Sequence, residues 1–89
     1  MDLIEVSVGH GRIIAFDGRV LEVFGASPRR FHADLLSVAV LSPDKHGIRS
    51  VIFRQAEVDD TAYQLDQQSY EQLQPVLEAL KSAGASVSA

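Results

Sequence analysis

Eighty-nine residues, 46% hydrophobic and 22% charged, provide for one folded domain and leave no room for a second core. Cysteine is absent, which removes disulfides, thiolate metal sites and cysteine nucleophiles together. A net charge of -4 without a dense basic run argues against nonspecific nucleic-acid binding, which depends on phosphate neutralisation. Lys and Arg gather between residues 9 and 55, whereas residues 56–89 hold six carboxylates against Lys81 alone. The N-terminus lacks the basic start and apolar run of a signal peptide. No stretch approaches the roughly 20 apolar residues of a membrane span, so a cytoplasmic domain with no transmembrane segment is expected.

Leu3 to Val8 alternates at period two, with Ile4, Val6 and Val8 on one face, and predicts a first strand. Gly9-His10-Gly11 breaks it. Arg12 to Gly25 carries the strongest local signal, two β-prone runs about Asp17-Gly18, because a two-residue hairpin loop needs positive φ that glycine adopts and aspartate tolerates. With Asp17 and Gly18 at the tip, Phe16 is expected opposite Arg19, Ile14 opposite Leu21 and Arg12 opposite Val23. Ile13, Ala15, Val20 and Phe24 then take the other face. Both faces are apolar, which suits the inside of a curved sheet better than its edge.

Gly25 to Pro28 reads as a loop, Arg30 to His32 as a short strand followed by a bend, and Ser37 to Leu41 as a strand. The polar loop Pro43 to Gly47 leads back into a strand over Ile48 to Gln55, paired with Ser37 to Leu41. Ala56 to Asp60 is expected as an acidic loop and Thr61 to Leu65 as the last strand, with Tyr63 and Leu65 on one face. From Ser69 the period changes. Tyr70, Leu73, Leu77, Leu80 and Ala83, widened by Val76, recur at the spacings of an amphipathic helix. Asp66 and Ser69 both qualify as its N-cap, and Gly84 as its stop. Pro75 either kinks the helix or opens a new segment. Ala85 to Ala89 reads as a frayed, flexible tail.

The expected fold class is therefore α+β: a small bent β-barrel or sandwich of six to seven antiparallel strands capped by one C-terminal helix, with a single domain over residues 1–84. Ile14 to Gly18 with Val20 to Val23, then Arg30-Phe31-His32, Leu35 to Val38 and the stretch from Tyr70 to Leu80, resemble bacterial pleckstrin-homology-like (PH-like) domains over roughly residues 3–84. The resemblance implies a seven-stranded bent barrel under a C-terminal helix and a non-enzymatic binding scaffold. The chain departs from eukaryotic members in lacking a helix tryptophan and a basic cluster at the first hairpin turn, so phosphoinositide recognition is not implied.

Chemistry-bearing constellations are sparse. His10, His32 and His46 stand far apart in the chain, without the local pairing of a zinc site, and His32 is expected half-buried and bonded to backbone. No serine sits in a strained glycine-flanked elbow. Asp59-Asp60 lacks the run of oxygen ligands that a calcium loop supplies. Neither a catalytic set, nor a metal, nor a cofactor is expected. Arg29, Arg30, Phe31 and His32 form the candidate contact group, a compact cationic and aromatic cluster able to clamp a carboxylate or phosphate. The expected function is a non-enzymatic interaction module acting through protein-protein surface contacts, self-association included. The alternative is an anionic-ligand or anionic-membrane binder using Arg12, Arg19, Arg29, Arg30 and Arg49.

Overall fold

The computed structural model describes residues 3–55 and 59–88. Four strands, β1 (Ile4–Ser7), β2 (Ile13–Phe16), β3 (Val20–Phe24) and β4 (Arg29–His32), form an antiparallel meander in sequential order. A 3₁₀ turn at Ala33–Leu35 then carries the chain into a second sheet. That sheet contains β5 (Leu36–Val40), β6 (Arg49–Gln55) and β7 (Asp59–Leu65), followed by helix α1 (Gln67–Ser82) and a final strand β8 (Ser86–Ser88). Its order is β7-β6-β5-β8, antiparallel except for β8, which runs parallel to β5.

The α+β class holds, as two sheets and a helix rather than a closed barrel, and the described residues form eight strands rather than six or seven. The additional strand comes from the expected tail. Gly84, at φ 99°, turns the chain after α1, and the Ala85 amide donates to Leu80 O at 3.0 Å. Residues 86–88 then pair with Ser37, Val38 and Ala39, which seats Val87 partly against the core. The cap and the exposed edge of β5, not any apolar run, order this segment.

The central hairpin keeps its predicted faces and changes its register. Phe16 lies opposite Leu21 and Ile14 opposite Val23, a slip of two residues from the expected pairing. Asp17 Oδ1 accepts from the amides of Arg19 at 2.9 Å and Val20 at 2.8 Å, so the tip moves to Gly18 and Arg19. Of these, Gly18 alone has positive φ, at 100°, the demand of a II′ rather than a I′ turn. A slip of two preserves side-chain parity. Ile14, Phe16, Leu21 and Val23 therefore still point inward, and all four are buried.

The inner faces of both sheets and one stripe of α1 make a single core. Phe16, Leu21, Val51, Phe53, Leu73, Val76 and Leu80 are fully buried, and apart from the Tyr63 hydroxyl, carried in with its ring, no polar or charged side chain is buried among the described residues. Phe31 of β4 stacks on Phe53 of β6 with centroids 5.6 Å apart, tying one sheet to the other, and Tyr63 meets Phe53 edge-on at the same distance. Helix α1 is continuous through Pro75, so neither a second segment nor a restart occurs. Pro75 faces solvent, as does Glu71 one turn earlier, so the ring that cannot donate there stands away from the core. Asp66 takes the N-cap, accepting from the Ser69 amide at 2.8 Å. No helix among the described residues is long and apolar enough to cross a membrane.

Asp59 and Asp60, expected in a loop, begin β7, and Asp60 forms a two-point ion pair with Arg54 at 2.6 and 2.9 Å. The rest of the expected acidic loop, residues 56–58, lies outside the described residues.

Candidate functional site

The turn between β1 and β2 is tight. Gly9, His10 and Gly11 adopt positive φ in succession, at 84°, 55° and 72°, and the Arg12 amide donates to Gly9 O at 3.0 Å. Two glycines make this run accessible, and His10 between them carries the strain of a non-glycine residue in that region. The turn delivers Arg12 on the parity of Ile14 and Phe16, inward, at the open end of the first sheet. Across the gap, Tyr63 points inward from β7 on the parity of Leu65. The Arg12 guanidinium carbon lies 5.0 Å from the Tyr63 ring centroid, a cation–π contact.

Gly25 completes the arrangement. A Cβ at this position would stand 3.1 Å from Arg12 Cγ, so the absent side chain is what lets the arginine stem pass. The space between is a cleft of about 440 Å³, walled by His10 and Arg12, by Gly25–Ser27 and by Ala62–Gln64. Two polar atoms here are shielded from water and have no protein partner: Arg12 Nε and Tyr63 OH. Burial raises the Tyr63 hydroxyl pKa above its ordinary value against the opposing pull of Arg29 and Arg12. The phenol therefore stays protonated at neutral pH and remains a donor. The cleft thus presents a fixed cation, a phenolic donor and the further positive charge of Arg29. An anion is the complementary occupant.

The predicted contact group does not form one cluster. Strand alternation sends Arg29 and Phe31 to one side of β4 and Arg30 and His32 to the other. Phe31 is 2% exposed and belongs to the core, so it is not available to a partner; its stacking on Phe53 supplies the reason. Arg30 lies on the outer face 3.5 Å from Glu22, its cross-strand neighbour. His32 is exposed rather than half-buried, and its main-chain amide donates to Gln55 Oε1 at 2.6 Å. Arg29 alone of the four acts on the cleft, through its charge on Tyr63.

The wider arginine set also divides. Arg19 is exposed at the hairpin tip. Arg49 sits half-buried against the Tyr70 ring, 4.4 Å from its centroid, and donates to Leu41 O at 3.0 Å. Of the five, Arg12 lines the cleft, and Arg29 bears on it only through its charge on Tyr63. Tyr63 and Gly25 are the site residues that the sequence reading leaves among strand and loop positions. Parity already turns Tyr63 inward, but nothing local says which arginine it meets. No group of three or more His, Asp or Glu that could hold a metal ion occurs among the described residues.

Comparison with known proteins returned no matching family model, no matching curated protein and no matching solved structure.

Proposed function

We propose that this chain is a non-enzymatic binding module of the PH-like type, and that it takes an anionic group into the cleft between Arg12 and Tyr63. The observation that carries the reading is the pair of buried, unpartnered donors, Arg12 Nε and Tyr63 OH, on one cleft. A donor left unsatisfied away from water costs about 1–3 kcal/mol, so a carboxylate or phosphate that accepts from both offsets a penalty the free domain carries. Charge-assisted bonds to a guanidinium are the stronger kind, and the adjacent Arg29 adds attraction. The PH-like part rests on element order, a four-stranded meander followed by three antiparallel strands and a helix.

The test is a titration of the ¹⁵N-labelled domain with inorganic phosphate and with glutarate. The Arg12 side chain and the amides of residues 25–27 and 62–64 are expected to shift together, with a dissociation constant of about 1 mM for so small a ligand. Arg12→Gln abolishes the shifts while the dispersed spectrum of the fold remains. Unchanged Arg12 resonances at saturating phosphate and glutarate refute the reading. Sedimentation with anionic vesicles at low and high salt decides whether a lipid surface is among the anions accepted.

A protein contact is supported by a separate observation. Ile13 and Phe24 lie directly opposite each other at one end of the two central strands of the first sheet, on its outer face, and are 39% and 46% exposed. Light scattering across a concentration series, with Phe24→Ser as the control, measures whether this pair drives self-association.

A further inference from the structure

The cleft runs along an open sheet edge. Strand β7 ends the order β7-β6-β5-β8, so one of its sides has no neighbour in the sheet. Three consecutive residues of β7, Ala62, Tyr63 and Gln64, line the cleft, and none of their cross-strand partners on β6 does. Successive side chains of a strand point to opposite faces. A space that touches three in a row and avoids the neighbouring strand therefore lies beside the free edge, not over either face. Among the described residues, no backbone hydrogen bond outside the sheet ladder engages Ala62, Tyr63 or Gln64.

Edge strands are ordinarily guarded by charge, proline, a bulge or a covering element. The other edges here are modified in such ways, β8 at the far end of the second sheet by being only three residues long. Helix α1 packs on β1, β8 lies along β5, and β4 begins with Arg29-Arg30. The stretch Thr61–Gln64 carries no charge and no proline. Asp60, the residue before this stretch, is turned to Arg54.

We infer that β7 accepts an extended peptide segment as an added strand, and that an acidic side chain of that peptide enters the Arg12–Tyr63 cleft. The inference rests on the anion reading above and names the partner. An alternating main chain supplies the acceptors and donors that the β7 edge lacks, and the carboxylate supplies the acceptor for Arg12 Nε and Tyr63 OH. The strand continues on both sides of the cleft, from Asp59 to Leu65, so the peptide passes along it and an internal acidic side chain fits better than a chain end. Asp60 sets the register. An acidic residue opposite the Ala62–Gln64 segment meets Arg12, whereas one placed at the start of β7 meets a carboxylate.

The probe is a fluorescent, N-acetylated and C-amidated heptapeptide of alternating threonine and valine with one central glutamate. Its binding is measured by anisotropy, beside the phosphate titration described above. Binding is expected to fall at least tenfold when the central glutamate becomes glutamine, when alternate peptide amides are N-methylated, and in Arg12→Gln. The β7 amides of residues 61–65 shift on addition of the parent peptide. Equal binding of the N-methylated and parent peptides, with phosphate still bound, overturns strand addition and leaves the anion site standing. Loss on N-methylation without dependence on Arg12 or on the glutamate overturns the carboxylate anchor. If neither phosphate nor peptide binds, both readings fall.

Discussion

Tyr63→Phe separates the stability of this domain from its binding, because the two effects have opposite sign. The substitution removes one oxygen that is buried without a partner and leaves the ring, its edge-on packing on Phe53 and its contact with Arg12 in place. An unsatisfied buried hydroxyl is destabilising by about 1–3 kcal/mol, and the lower end applies because the cleft lies beside it. Stability is therefore expected to rise by about 1 kcal/mol, or about 4–8 °C in midpoint for a domain of this size. The same change deletes a donor to a bound anion, worth about 1.5–3 kcal/mol, and affinity is expected to fall about tenfold or more. Urea unfolding followed by circular dichroism reads the first effect, with an unchanged slope required for a two-state comparison. The glutarate titration reads the second. A less stable variant shows that the hydroxyl has a partner in the free domain. Unaltered affinity shows that it does not donate to the ligand, and either result refutes the reasoning.

Gly25→Ala places a methyl group 3.1 Å from Arg12 Cγ, and displacement of the guanidinium is expected to weaken anion binding while the unfolding midpoint moves little; paired titration and unfolding measurements check both halves. Phe53→Ala removes the ring that joins Phe31 to Tyr63 and is expected to destabilise by about 3–5 kcal/mol, visible in thermal unfolding. Asp66 and Asp17 have carboxyl pKa values lowered mainly by backbone amides, those of Ser69 for Asp66 and of Val20 and Arg19 for Asp17. A depressed folded-state pKa contributes stability that is present above the unfolded value of 3.8 and is lost as pH falls through the folded value. Acid unfolding of Asp66→Asn should accordingly show a weaker pH dependence than the parent, and an identical curve would remove the cap from the acid response. Tyr63 has the opposite sign: its raised pKa contributes stability present below the unfolded value of 10.0 and lost as pH rises through the folded one. Alkaline unfolding of Tyr63→Phe, which has no such group, should lack that component.

Most of the strands, the helix and most of the core were legible from local pattern, β8 excepted. Ile14, Phe16, Leu21 and Val23 alternate, and Leu73, Val76, Leu77 and Leu80 recur at helical spacing; all eight are buried. These patterns report which face of an element is apolar, and burial follows directly from that. Turn chemistry was less legible. Whether Asp17 occupies the hairpin tip or folds its carboxylate onto the amides of Arg19 and Val20 depends on side-chain geometry within the loop, and the register moved by two residues with it.

Adjacency in the chain misled the search for a contact group. Arg29 to His32 are neighbours in sequence, yet a strand turns alternate side chains apart, and Phe31 was drawn into the core by Phe53. The residues that do meet, Arg12, Gly25 and Tyr63, come from three separate parts of the chain. The residues by themselves determined the elements and their apolar faces, because those depend on local backbone preference and hydrophobic periodicity. The tertiary structure alone decided which cation meets which phenol, which tail closes the edge of β5 and which edge stays open on β7, because each depends on how two sheets are placed against each other.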